Sequence, residues 1–208
     1  AAEERGRARA IVSQTAGSPV LVKAILAAGL FPNVLRAVEG KSKPALYQQK
    51  LTVSISSSSL NEKAPRFDTH FLVYHEKVKT HQIVVHDCTA VAALDIMLFG
   101  SEMQVMHAQH RAILDGWIEL RVPPRVAVLV KALRRQLTEV MRRRIAEVDR
   151  RKREGWTTSE YNEDSEGQFV LDQIVNLIKS GVGVMVDGVS APGPRGQAAR
   201  VGPHRGGV

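Results

Sequence analysis

The chain has 208 residues, with 29 Lys and Arg against 21 Asp and Glu, a formal charge of +8 and a pI near 9.9. That length admits one domain with a real core plus appendages, and the charge favours an acidic partner, either nucleic acid or an anionic surface. The single cysteine, Cys88, excludes an internal disulfide framework and a cysteine-based zinc site. No apolar run approaches the ~20 residues of a membrane span, and the N-terminus lacks a signal-peptide pattern. We therefore expect an intracellular protein with no membrane partner. From the opening Ala1-Ala2-Glu3-Glu4 we also expect a piece of something longer.

In chain order, residues 3–16 are charged and Ala-rich and have helical potential. Ser18-Pro19 reads as a helix start, Ser at the N-cap and Pro in the first turn. Val20, Leu21, Ala24, Ile25, Ala28 and Leu30 make a strongly apolar helix, with Gly29 as its C′ glycine. Phe31-Pro32-Asn33 breaks it. A short strand follows over 34–38, then a basic loop, Glu39-Gly40-Lys41-Ser42-Lys43. Residues 46–55 read as one strand, with Leu51, Val53 and Ile55 alternating against Thr52 and Ser54. Residues 56–65 are a polar loop.

Residues 71–89, FLVYHEKVKTHQIVVHDCT, predict two strands joined by a tight basic turn. His75, Lys77, Lys79, Thr80 and His81 crowd its tip, with only Glu76 against them. Such a tip suits a polyanion, and the alternative is an ordinary solvated turn. Lys77 and Lys79 would meet phosphates, and Thr80 and Ser58 phosphate or sugar. Tyr74 either stacks on a base or packs in the core. The core is favoured, because only 5% of the chain is aromatic and a small barrel needs large residues inside. Cys88 reads as a buried thiol.

Residues 90–100 form a short apolar helix or turn ending at Gly100. Residues 103–107 and 111–122 are further short strands, with Trp117, Ile118 and Leu120 as core candidates. Pro123-Pro124 opens a long helix in which Val126, Val130, Leu133, Leu137, Val140, Met141, Ile145 and Val148 follow one stripe. Its other surface carries Lys131, Arg134, Arg135, Arg142, Arg143 and Arg144, either an RNA-facing or a solvated face. A charged loop is expected over 150–167 and a last amphipathic helix over 169–179.

The fold class expected is mainly β with flanking helices: a five-stranded OB-fold barrel, an N-terminal helix from a helical bundle, and a long plus a short C-terminal helix. The corresponding divisions are 1–30, helical end of a preceding domain; 31–122, barrel; 123–180, helical extension; and 181–208, a Gly-, Pro- and Arg-rich disordered tail.

No catalytic or metal constellation stands out. Gly40-Lys41-Ser42 echoes a phosphate loop, but the glycine that motif needs five positions earlier is Leu35. His107 and His110 have no second ligand pair nearby, His70, His75, His81 and His86 fall on strands or turns, and Asp87, Asp95 and Asp115 are isolated.

The order of motifs resembles a known family. Val22-Lys23-Ala24-Ile25-Leu26-Ala27-Ala28-Gly29-Leu30-Phe31-Pro32-Asn33-Val34 is similar to the K-A-x-x-x-A-G-L-[YF]-P-N-[VI] entry to the C-terminal OB-fold of DExH-box (DEAH/RHA-type) RNA helicases. Ser58-Ser59-Leu60-Asn61 resembles the end of that family's H-P-S-S-x-N loop, and residues 71–80 resemble its [FL]-x-Y-x-E-K-x-[KR]-T hairpin. Asp87-Cys88-Thr89, Leu98-Phe99-Gly100, Trp117-Ile118, Pro123 and the helix over 129–137 match further segments. The family's His-Pro falls on Ser56-Ser57, and its V-S-P reads Val91-Ala92-Ala93.

The resemblance spans about residues 19–179. It implies an RNA-binding accessory domain behind two motor domains, closing an RNA channel and docking regulators. The parent would be a hydrolase using ATP and Mg, with no cofactor in this part. The implied RNA-binding positions are Lys77, Lys79, Thr80, Ser58, Ser59 and Asn61, to which the neighbouring basic residues His75, Lys41 and Lys43 are added. Expected partners are single-stranded RNA or a ribonucleoprotein, with a protein cofactor on the barrel or the Arg-rich helix. The alternatives are a protein-interaction module within a ribonucleoprotein assembly and a free-standing basic OB-fold RNA-binding protein.

Overall fold

A computed structural model describes residues 17–40, 42–153 and 165–181. The helix expected over 3–16, Lys41, part of the charged loop and the tail from 182 onward lie outside the described residues. Helix α1 (Pro19–Leu30) starts as its sequence dictates: Ser18 takes an extended N-cap conformation and Pro19 occupies the first turn, where its missing N–H costs nothing. Leu21, Ala24 and Ala27 face inward, whereas Val20, Val22 and Ile25 face out. Gly29 is not the C′ residue. The helix runs on to Leu30, whose carbonyl accepts the Asn33 N–H at 2.8 Å, and the Phe31 N–H donates to Ala27.

Five strands then close a barrel: β1 (Val34–Val38), β2 (Ala45–Gln48), β3 (Leu51–Ile55), β4 (Phe71–Lys79) and β5 (Ile83–Val91), in the order β1-β2-β3-β5-β4 with β4 returning to β1. Only β3 and β5 run parallel. The single strand expected over 46–55 is instead a hairpin that turns at Gln49-Lys50, with Gln49 at φ 55°. A glutamine in the left-handed region carries no turn signature of the Gly, Asn or Asp kind, so the alternation of Leu51, Val53 and Ile55 masked the reversal.

Closure gives the barrel an inside, filled by Leu35, Leu46, Val53, Leu72, Tyr74 and Val85, and an outside on which Val34, Phe71, Val73 and Val91 join the helical layer. Both faces of β4 are covered over Phe71–Tyr74, which is why four successive apolar residues are buried there. Tyr74 is 2% exposed, a core residue. Cys88 is a buried free thiol in the same interior.

The strands after residue 100 do not enlarge the barrel. β6 (Met103–Met106), β7 (Arg111–Leu114) and β8 (Ile118–Arg121) form a separate antiparallel sheet. Between barrel and sheet lies α2 (Ala93–Phe99), buried almost throughout. Its Asp95, 2% exposed, accepts the Ala92 N–H at 3.0 Å, and burial pushes its carboxyl above the ordinary range. Gly100 closes α2 because nothing larger fits: a Cβ there would stand 2.5 Å from the Ile96 carbonyl oxygen and 2.7 Å from Leu114.

Helix α3 (Pro124–Arg153) runs four residues into the expected loop, and α4 (Ser165–Ser180) starts four residues before the expected position. Arg134 on α3 donates to the carbonyls of Gly100 and Ser101, clamping α3 to the end of α2. Burial pushes its guanidinium down. Arg134 therefore belongs to the scaffold, not to a free basic face. Val126, Val130, Leu133, Leu137 and Val140 pack into the core, but Met141, Ile145 and Val148 do not: they are 47%, 59% and 41% exposed.

Candidate nucleic-acid interface

Small barrels of this topology take oligonucleotides on the β2–β3 face, between the β1–β2 and β4–β5 loops. The β4–β5 hairpin supplies the first cluster. Residues 75–82 are all exposed, and the hairpin continues past the covered part of β4. Residues directly opposite in an antiparallel pair share a face. Lys77 lies opposite Val85 and Lys79 opposite Ile83, so both lysines rise from the face whose lower part is the barrel interior. Glu76 and Val78 point the other way with His86 and Val84. The face switch falls at His75 and Asp87, where Asp87 takes φ 50°.

Lys77 is held by the barrel: its Nζ donates to Gln48 Oε1 at 2.8 Å, and Gln48 Nε2 donates to the Tyr74 hydroxyl at 2.8 Å. The buried tyrosine thus fixes a glutamine that aims a lysine. Thr80 closes the turn, its N–H and hydroxyl both donating to the Gln82 carbonyl, at 3.0 and 3.4 Å. Ser54 on β3 bonds to Gln82, which ties the tip to the β2–β3 face.

The second cluster lies at the other end of β2 and β3, roughly 10–15 Å away by strand rise. Here Lys43 is neutralised by Glu62: its ammonium sits 2.6 Å from Glu62 Oε1 and also donates to the Glu62 carbonyl. The Lys43 hydrogen bond and charge hold the Glu62 carboxyl below its ordinary range. Lys41 lies outside the described residues. Ser58, Ser59 and Asn61 bracket the start of a 3-10 turn (Leu60–Lys63) and are engaged in holding it. Ser58 shares a 2.9 Å hydrogen bond with Ser56; the Asn61 N–H donates to Ser59 Oγ; Asn61 Nδ2 donates to the Cys88 carbonyl at 2.6 Å. The fold therefore does not gather the eight described positions into one patch. Lys77, Lys79, Thr80 and His75 share the hairpin end, while Lys43, Ser58, Ser59 and Asn61 lie around the 3-10 turn.

Between the clusters, the outward row of the sheet runs Phe71, Arg36, Tyr47, Thr52 across β4, β1, β2 and β3. Tyr47 is half-buried and Arg36 Nε is enclosed without a hydrogen bond. A tyrosine on this face, flanked by a guanidinium and a threonine, offers a stacking surface for a base. Sequence reading passed over Tyr47 because it fell inside the supposed single strand. Once the turn at Gln49 is known, its alternation with inward Leu46 identifies it.

Among the described residues no three His, Cys, Asp or Glu side chains cluster as metal ligands, and no helix is long and apolar enough to cross a membrane. Nor does Gly40-Lys41-Ser42 suit a nucleoside triphosphate: the loop leads from β1 into β2, with no helix N-terminus to take phosphates.

Comparison with known proteins follows this division. Residues 22–103 match the family model of the oligonucleotide/oligosaccharide-binding (OB) fold, and residues 110–151 match that of the C-terminal domain in RNA helicases. The DExH-box ATP-dependent RNA helicase DExH4, chloroplastic, of Arabidopsis thaliana is 36% identical over 133 residues, 59% of this chain and 9% of the relative. Human ATP-dependent DNA/RNA helicase DHX36 is 30% identical over 168 residues, 77% of this chain and 16% of the relative. Human ATP-dependent RNA helicase DHX29 is 30% identical over 129 residues, 58% and 9% respectively. The chain thus spans a small fraction of the length of the relatives it matches.

Proposed function

We propose that this chain, which carries the C-terminal OB-fold region of the DExH-box RNA helicases, is an RNA-binding accessory module that lines the RNA channel of a longer ATP-dependent enzyme. The motor chemistry, with ATP and Mg, would reside elsewhere in that enzyme. What this part contributes is a surface. The observation that carries the reading is the projecting hairpin end, where Lys77 and Lys79 stand on the barrel-mouth face beside the β2–β3 sheet. Lysines there would hold phosphates without reading sequence. Tyr47, midway along the neighbouring face, would stack a base, and the Tyr74–Gln48–Lys77 chain sets the lysine in advance of binding. Few aromatics line this face, so affinity from the module alone would be modest and dominated by counterion release.

The test is fluorescence anisotropy of a labelled single-stranded RNA across a salt series. Replacing Lys77 and Lys79 together by Ala should flatten the slope of log affinity against log salt by ~0.7 per lost phosphate contact, or ~1.4 in all. Tyr47→Ala should weaken binding by ~1–3 kcal/mol at every salt concentration, leaving the slope alone. Absence of wild-type binding at low salt, or a double variant that overlays the wild type, would overturn the assignment.

A further inference from the structure

The β2–β3 turn carries a cation that no motif marks. Gln48 pairs with Leu51, so Gln49 and Lys50 make a two-residue turn in which Lys50 is exposed. Register places this turn beside the hairpin tip. β3 runs parallel to β5 with Ser54 opposite Val84, which brings Leu51 level with His81, and Ser54 Oγ bonds to Gln82 Oε1 at 3.3 Å. A second link comes from β2, where Gln48, two residues before Lys50, accepts from Lys77 Nζ at 2.8 Å. An ammonium can only donate, which fixes the amide: its oxygen faces Lys77 and its nitrogen the Tyr74 hydroxyl. Lys77 uses one of its three donors on Gln48, and two remain for a ligand. Two residues of strand rise set Lys79 ~7 Å beyond Lys77, far enough for each to hold its own phosphate.

Lys50, Lys77 and Lys79 thus stand at one end of the barrel. Among the described residues no ion pair neutralises any of them, whereas Lys43 at the opposite end is matched by Glu62. Glu76, the acid adjacent to Lys77, points away with His86. Like charges gathered without counterions repel, and an anion among them relieves that repulsion. We propose that, given RNA binding at the hairpin end, Lys50 is a third phosphate contact, which with Lys77 and Lys79 holds the backbone of a single strand across the barrel mouth. The turn that sequence patterning hides inside a strand is then part of the RNA surface, and its lysine acts as a point charge that positions without reading bases.

Anisotropy of a labelled single-stranded RNA with the whole chain, across a salt series, tests this through Lys50→Ala, Lys50→Arg and the triple variant Lys50→Ala/Lys77→Ala/Lys79→Ala. Lys50 is exposed in a turn, so its replacement removes charge without disturbing packing. The expected slope of log affinity against log salt is ~0.7 flatter for Lys50→Ala, ~2.1 flatter for the triple variant and unchanged for Lys50→Arg. Lys179→Ala, an equal loss of charge on α4, should leave the slope as it is. A Lys50→Ala slope that matches the wild type, while Lys77→Ala/Lys79→Ala flattens it, overturns the role of Lys50 and leaves the hairpin as the RNA surface. Equal flattening by Lys179→Ala overturns it too, because net charge alone then accounts for the loss. A wild type that binds no RNA at low salt overturns both assignments together.

Discussion

Asn61 separates a residue that fastens the barrel from one that touches RNA. Its Nδ2 donates to the Cys88 carbonyl at 2.6 Å, bridging the 3-10 turn to β5 across 27 residues of sequence. Replacement by Ala removes that bond and leaves a half-buried carbonyl without its side-chain donor. A lost hydrogen bond costs ~0.5–1.5 kcal/mol, and an orphaned acceptor raises this towards ~2 kcal/mol. For a folded body of this size each kcal/mol lowers the melting midpoint by ~2–4 °C, so Asn61→Ala should melt ~3–8 °C below the wild type. RNA affinity measured well below that midpoint should stay within about twofold, since the amide is already committed to the Cys88 carbonyl. Differential scanning calorimetry and anisotropy on the same preparation decide the matter. A tenfold loss of RNA affinity with an unchanged midpoint would refute the fastening role and place Asn61 on the RNA.

Two glycines should respond with opposite signs in urea unfolding. Gly100→Ala drives a Cβ against the Ile96 carbonyl oxygen and should cost ~1–3 kcal/mol, whereas Gly29→Ala, in open space within a helix, should gain ~0.5–1 kcal/mol; an unaffected Gly100→Ala would show that α2 can shift. Asp95 tests burial of a carboxyl. Because its folded-state pKa is raised, the unfolded chain loses that proton first, so this group withdraws stability as pH climbs from the ordinary carboxylate range through the raised value. Asp95→Asn, which keeps an oxygen for the Ala92 N–H, should therefore gain on the wild type as pH rises above the ordinary carboxylate range. A wild type that gains on the variant over that range would reverse the sign.

Periodicity and punctuation determined much of this protein. Pro19, the apolar run of α1, the 71–91 hairpin and Pro124 are local signals, and each element forms where its own residues ask for it. The ordered motifs around Pro32-Asn33, Tyr74, Cys88 and Gly100 marked the family for a related reason: several sit where the fold leaves no alternative, as at Gly100 against Ile96.

Tertiary structure decided the rest. Gln49 turns a strand into a hairpin because barrel closure needs β2 and β3 antiparallel, a demand the residue type does not announce. Residues 103–121 have strand patterning as good as the barrel's, yet they pair only with one another, and pairing partners are not written in local sequence. The resemblance to the helicase family made Asn61 a candidate RNA contact, and only the fold shows that its amide donates to the Cys88 carbonyl, because a side chain's partner depends on what packs beside it. The stripe on α3 is continuous in sequence from Val126 to Val148, and only the packed structure shows that its burial stops at Val140. Burial needs a second surface, and the described part of this chain supplies one for only half of the helix.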